Sequence, residues 1–179
     1  IKEREDRTVP VEGLIYLYLA ICAGMIGFNL TAAARARRRE RRIARKTDRM
    51  ERRIVRQLPL LEATDLLEEG FLRGMERRLR RVENMLAFDG ALERLQARQP
   101  EQVRALLRAM DGVTVALAED YCRRRDDVEA AYFPYIIRKY RLLQGRKDRT
   151  LEKLLLGLLR QPGLYCRESA MQAIYTAGD

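Results

Sequence analysis

Residues 13–34 read GLIYLYLAICAGMIGFNLTAAA, a run of 22 residues without a charged side chain. As an α-helix this run would be about 33 Å long, which matches the hydrocarbon thickness of a bilayer. Its polar residues, Asn29 and Thr31, both lie near the C-terminal end. A helix buried in a soluble core rarely stays apolar on every face over such a length. The run therefore predicts a transmembrane helix, with a buried core helix as the alternative.

The charges on the two sides of this run predict its orientation. Residues 1–12 carry three basic and four acidic side chains, whereas residues 35–57 carry twelve basic and three acidic ones. Lys and Arg close to a span stay on the cytoplasmic side. A cleaved signal peptide has its positive charges before the apolar run, which disfavours that alternative. We therefore expect a single-pass protein of the cell membrane, with residues 1–12 outside and all residues after Ala34 in the cytoplasm.

Small residues recur four apart within the apolar run, as Ala20 with Gly24 and Ala23 with Gly27. This spacing allows two membrane helices to approach closely. The ordinary abundance of glycine and alanine in membrane helices accounts for the pattern equally well. These four residues are our candidates for packing against another span.

The basic stretch that follows the apolar run is a candidate binding site for anionic lipid. Each Lys or Arg near a membrane surface gains about 1 kcal/mol from anionic headgroups. Fixing the topology is a second, compatible role, and nucleic-acid binding is a third. The third is disfavoured because residues 35–57 contain no aromatic side chain for base stacking. We assign headgroup binding to eight residues, Arg35, Arg37, Arg38, Arg39, Arg41, Arg42, Arg45 and Lys46.

The rest of the chain predicts an all-α protein, because apolar residues recur every three or four positions and no convincing strand is present. We expect a basic juxtamembrane helix over residues 35–58 that ends at Pro59, followed by a helical segment over residues 59–148 in which degenerate repeats are one option. Within that segment, Asp89-Gly90 should break a helix and Gln99-Pro100 should open a long one. Asp126 or Asp127 should cap the next helix.

The last 31 residues, 149–179, predict two helices joined by a short turn. Thr150 should cap the first, which has a leucine stripe, and Gln161-Pro162-Gly163 should form the turn. The second carries an arginine followed by two alanines three residues apart and ends in Gly-Asp. This pair resembles a HEAT repeat, the helical repeat of α-solenoids. The residues that carry the resemblance are Pro162, Arg167, Ala170, Ala173, Gly178 and Asp179.

The HEAT resemblance carries several implications. Arg167 would take the place of the arginine that commonly bonds to a neighbouring turn, and Ala170 and Ala173 would occupy the helix crossing. One such pair cannot bury its apolar faces alone, so further repeats after Asp179 or a covering partner are implied. Membrane-anchored HEAT-like proteins of bacteria suggest an inner-membrane location and a polysaccharide-synthesising glycosyltransferase as one partner.

The residue inventory disfavours catalysis. The chain contains no histidine, which removes the commonest general base. Its three cysteines, Cys22, Cys122 and Cys166, lack metal or redox spacing, and no glycine-rich phosphate loop is present. We therefore expect a scaffold or adaptor that binds a membrane protein and anionic lipid, without a cofactor, a metal or a small-molecule substrate. The alternative is a regulatory membrane segment of a larger enzyme or signalling protein whose catalytic part lies elsewhere.

Overall fold

The computed structural model describes residues 11–146 and 148–178, and its regular structure over these residues is helical. The prediction of an all-α protein is therefore confirmed for this part of the chain. Residues 1–10 of the expected N-terminal segment and Asp179 lie outside it. The helices are α1 (Val11–Thr64), α2 (Glu69–Leu79), α3 (Val82–Gln96), α4 (Pro100–Ala109), α5 (Asp111–Cys122), α6 (Asp127–Lys139), α7 (Thr150–Leu158) and α8 (Leu164–Gly178).

The chain divides into two compact units, an N-terminal unit of residues 1–42 and a helical domain of residues 43–179. In the N-terminal unit, α1 is long and apolar enough to cross a membrane. None of its most apolar stretch is buried among the described residues. The large apolar side chains from Leu14 to Leu30 are all at least 52% exposed. No other helix among the described residues meets the same criteria of length and hydropathy.

In the helical domain, α1 contributes one buried stripe to the core. Thr47, Met50, Ile54, Leu58 and Leu61 recur at three- or four-residue spacing and are each at most 6% exposed. The prediction that the helix ends at Pro59 is wrong, because α1 continues through it to Thr64. Burial of leucines on both sides of the proline offsets the hydrogen bond that proline cannot donate.

The helix break expected at Asp89-Gly90 is also absent, because α3 runs through both residues. The break lies earlier, at Arg80 and Arg81, between α2 and α3. Asp89 is buried and bonded to side chains of α6. Gly90 lies against Thr47, since a Cβ added there would be 3.4 Å from the Thr47 side chain. This Asp-Gly pair therefore serves packing rather than a turn.

The helix expected to open at Gln99-Pro100 does begin at Pro100, but it is two helices instead of one. The chain bends at Met110, which is 2% exposed. The bend allows Val103 and Leu106 of α4, and Leu117 of α5, to be buried in one core. A periodic apolar pattern does not reveal such a change of direction, because both helices keep the same period.

The last three helices form one packed group with α5. Asp126 caps α6 by accepting a hydrogen bond from the backbone N–H of Glu129 at 3.0 Å, as expected for one of the two candidate aspartates. Pro134 is buried inside α6. The turn predicted at Gln161-Pro162-Gly163 is confirmed between α7 and α8. In this group α8 packs against α6 and α7, and α5 packs against α6 and α7.

Candidate functional site

The arginines assigned to headgroup binding are exposed on α1. Arg35 to Arg42 of the N-terminal unit include six of them, and Arg45 at the start of the helical domain is also exposed. Lys46 differs from them, because its ammonium lies 2.5 Å from the Glu83 carboxylate and is partly buried. Lys46 is thus an ion-pair partner within the domain, and only the arginines are fully presented to solvent.

The helical domain has further arginines on its own part of α1. The exposed ones are Arg49, Arg52, Arg53 and Arg56, and they lie away from the buried stripe of the same helix. The acidic residues of this segment are bonded inside the domain, since Arg94 contacts Asp48 at 2.7 Å and Glu51 at 3.2 Å. The outer face of α1 is therefore strongly positive.

The candidate span-packing residues are all available for contact. Ala20, Ala23, Gly24 and Gly27 lie on the exposed part of α1. A Cβ added at either glycine would meet no atom within 4 Å. Close approach of another helix along this part of α1 is therefore sterically possible, and the packing assignment stays a prediction.

The residues that carry the HEAT resemblance occupy different environments. Ala170 and Ala173 of α8 are 0% and 2% exposed, whereas Arg167 and Pro162 are exposed. Gly178 is the last residue of α8. The two alanines thus mark the buried face of α8, and the bonding role implied for Arg167 stays a prediction.

Asp127 has a role that the sequence did not reveal. Its carboxylate accepts hydrogen bonds from the backbone N–H groups of Tyr165 at 3.2 Å and Cys166 at 3.0 Å, in the first turn of α8. Gly163 precedes that turn, and a Cβ added there would lie 1.8 Å from the Asp127 carboxylate. The first turn of α6 therefore caps α8 from a distance of 38 residues in sequence, for which no local motif exists.

A second unexpected feature is a polar cluster around Asp89, which is 8% exposed. The Lys139 ammonium donates to one carboxylate oxygen at 2.6 Å, and the Tyr140 hydroxyl donates to the same oxygen at 2.7 Å. The Tyr132 hydroxyl donates to the other oxygen at 3.3 Å. The exposed carboxylate of Glu93 also accepts from Lys139, at 2.6 Å. This Asp89 cluster fastens α3 to α6.

The cluster shifts the ionisation of its members. Burial and the neighbouring Asp89 carboxylate both raise the pKa of Tyr132 and of Tyr140. Burial alone would lower the pKa of Lys139, but hydrogen bonds to Asp89 and Glu93 outweigh it and the net pKa is raised. Each of these groups therefore holds its proton more tightly in the folded chain than in the unfolded one.

Raised pKa values predict a loss of stability in alkali. The ordinary values are 10.0 for tyrosine and 10.5 for lysine. Above about pH 10 the unfolded chain releases protons that the native chain retains, so the free energy of unfolding should fall as pH rises. Urea unfolding followed by circular dichroism between pH 8 and pH 11 measures this slope. Tyr140→Phe should reduce the slope, whereas Tyr165→Phe, at an exposed position, should not. Equal slopes in both variants would contradict this role of the cluster.

Comparison with known proteins adds no family to these observations, since no protein-family model, curated protein or solved structure matches the chain. The described residues contain no group of three or more His, Cys, Asp or Glu side chains placed to hold a metal ion. Two features of these residues therefore remain as the starting points for function. They are the exposed apolar helix with its arginines and, separately, the helical domain of residues 43–179.

Proposed function

We propose that this chain is a membrane-anchored helical adaptor, whose helical domain binds a protein partner. The exposure of the apolar side chains from Leu14 to Leu30 carries this proposal. Removing one large apolar side chain from water gains about 1.5–3 kcal/mol. A helix with more than ten such side chains, each more than half exposed among the described residues, is best accommodated by lipid.

The charge distribution supports an orientation for this anchor. The strongly positive segment after Ala34 favours the cytoplasmic side, with the N-terminus outside. The same arginines would contact anionic headgroups, since Arg35 to Arg45 directly follow the apolar run. The helical domain would then be held at the cytoplasmic surface of the membrane.

The helical domain supports a binding role and the proposed HEAT-like arrangement. Alternate helices pack together, α5 with α7 and α6 with α8, as do the successive pairs α5–α6 and α7–α8. Stacked helix pairs in a solenoid make contacts of this kind. Leu164, Met171 and Tyr175 recur on one side of α8 and are 64%, 59% and 74% exposed. A partner protein would cover this apolar surface. The HEAT resemblance suggests that this partner is a membrane enzyme such as a glycosyltransferase.

Cysteine labelling in intact cells tests the anchor and its direction. In a background with Cys22, Cys122 and Cys166 replaced by alanine, Glu5→Cys should react with a membrane-impermeant maleimide and Arg45→Cys should not. Both should react after the cells are permeabilised. The chain should also stay in the membrane fraction after an alkaline carbonate wash. Reaction at position 45 alone would contradict the orientation, and release by carbonate would contradict the anchor.

The adaptor role needs a separate measurement. The chain should be extracted from its native membrane in lipid nanodiscs, and the proteins that accompany it identified by mass spectrometry. A stoichiometric membrane-protein partner is the expected result. A chain that is recovered alone under conditions that preserve other membrane complexes would contradict the adaptor role while leaving the anchor intact.

A further inference from the structure

A groove of about 1040 Å³ lies on the helical domain, between α4 and the segment that follows α6. This volume is close to the upper end of the range for small-molecule sites. Its lining is rich in charge. The cations are Arg104, Arg108, Lys139, Arg141 and Arg146, and the carboxylates are Glu101, Asp111 and Asp148.

The carboxylates of the groove are already bonded to some of its cations. Both terminal nitrogens of Arg146 contact Asp111, one of them at 3.0 Å, and Asp148 lies 3.8 Å from the same guanidinium. Glu101 lies 3.1 Å from Arg104. Lys139 is held by the Asp89 cluster. Each carboxylate of the groove lining is therefore in contact with one of its cations, and Asp111 and Asp148 share Arg146.

Two cations of the groove remain uncompensated. Arg108 of α4 and Arg141 of the segment after α6 are both exposed, and no carboxylate of the described residues lies within salt-bridge distance of either. At the groove wall, the Arg146 side chain is only 13% exposed. Its Nε is buried and has no hydrogen-bond partner among the described residues. The groove lining thus has five cations against three carboxylates, on a partly fixed surface.

The backbone at Arg141 adds an independent observation. Its φ is 51°, in the left-handed region that is unfavourable for residues with a Cβ. Arg141 follows the end of α6 in a motif in which its N–H bonds to the Arg138 carbonyl and the Leu142 N–H bonds to the Ile137 carbonyl. Glycine is the usual residue at this position. An arginine that occupies a strained glycine position points to a use for its side chain.

We propose that this groove binds a phosphate-bearing anion, with Arg108 and Arg141 as its charged contacts. Guanidinium groups form paired, charge-assisted hydrogen bonds to phosphate oxygens, and two such groups match a doubly charged phosphate. The groove is large enough for a group attached to that phosphate. The ligand is either a soluble phosphate compound or a lipid with a phosphate monoester headgroup, because both carry the same recognised group.

Calorimetric titration of the full chain in nanodiscs tests this inference. In nanodiscs of zwitterionic lipid and at constant ionic strength, the wild-type chain should bind inorganic pyrophosphate saturably. The double variant Arg108→Ala/Arg141→Gly should bind pyrophosphate at least about tenfold more weakly, because it loses charge-assisted hydrogen bonds. Nanodiscs that contain phosphatidic acid form the second arm. If phosphatidic acid lowers the affinity for pyrophosphate in the wild-type chain by competition, a lipid is the source of the phosphate.

Two controls separate binding from folding and from net charge. Arg141→Gly relieves the strained backbone, so the melting temperature of this variant should not fall even though binding weakens. The double variant Arg77→Ala/Arg160→Ala removes two exposed arginines outside the groove and should bind pyrophosphate like the wild type. The inference is overturned if pyrophosphate does not bind saturably, or if the groove variant and the control variant bind it equally.

Discussion

Replacing Asp89 with alanine should destabilise the helical domain by about 2–4 kcal/mol, whereas replacing Glu93 should cost less than about 1 kcal/mol. Both carboxylates accept a hydrogen bond from the same Lys139 ammonium at 2.6 Å, so the length of the contact does not distinguish them. Burial does. The Asp89 side chain is 12% exposed and the Glu93 side chain is 60% exposed.

The cost at Asp89 comes from the groups that it leaves behind. Without its carboxylate, the Tyr132 hydroxyl loses its acceptor in a partly buried site. The Tyr140 hydroxyl keeps only the backbone carbonyl of residue 89, at 3.1 Å, and Lys139 keeps only its exposed partner. The expected cost is slightly lower than the about 3–5 kcal/mol for a fully buried pair, because the Lys139 side chain is still 20% exposed.

Denaturant unfolding of the two variants, followed by circular dichroism, gives the comparison. Both substitutions replace an acidic residue of α3 by alanine, so helix propensity improves in each and improves more at Asp89, which works against the expected loss there. A smaller loss at Asp89 than at Glu93 would show that the buried cluster does not hold α3 on α6.

The second large effect is expected at Gly163, where alanine should destabilise the domain by about 2 kcal/mol. The added Cβ would lie 1.8 Å from one carboxylate oxygen of Asp127 and 2.3 Å from its carbon, so the carboxylate must move. Moving it removes both hydrogen bonds that cap α8, and loss of a helix cap costs about 0.5–2 kcal/mol. The backbone of Gly163 has no positive φ, so the clash rather than the conformation is responsible.

Gly157 provides a matched control in the helix that precedes this turn. A Cβ added at Gly157 would meet nothing within 4 Å, and the residue lies inside α7. Gly157→Ala should therefore stabilise the domain by about 0.5–1 kcal/mol. The two glycine substitutions are thus expected to have opposite signs, and the same sign for both would contradict the packing around α8.

A double-mutant cycle isolates the Asp127 contact. In an Asp127→Ala background the cap is already lost, so Gly163→Ala should add little further destabilisation. Simple addition of the two single effects would mean that the glycine is required for some other reason. Equilibrium unfolding of the wild-type chain, the two single variants and the double variant supplies the four free energies that the cycle needs.

The sequence predicted the helical class, the start of α4, the Asp126 cap and the turn before α8, because each depends on neighbouring residues. A proline at the first helical position or an aspartate at a cap acts within a few residues of its own place in the chain. The long apolar run of α1 is likewise a property of consecutive residues. Such features are readable without a structure.

The errors arose where a distant residue decides the conformation. Asp89-Gly90 has the composition of a turn, but Lys139 bonds the aspartate and Thr47 lies against the glycine. Pro59 should end a helix, yet burial of Leu58 and Leu61 in a common core keeps α1 intact beyond it. The groove cations could be listed from the sequence as charged residues, but which of them lack a carboxylate partner depends on the fold.

The cap that Asp127 places on α8 has a consequence for how the C-terminal region forms. The backbone N–H groups of Tyr165 and Cys166 bond to Asp127, which precedes them in the chain by 38 and 39 residues. These bonds can therefore form only after α6 has folded and docked against α8. The α7–α8 hairpin is therefore not an autonomous folding unit, since the start of its second helix is completed by a residue from outside it. Local opening should then expose α6 and α8 together, as one cooperative segment, rather than allow α8 to fray alone.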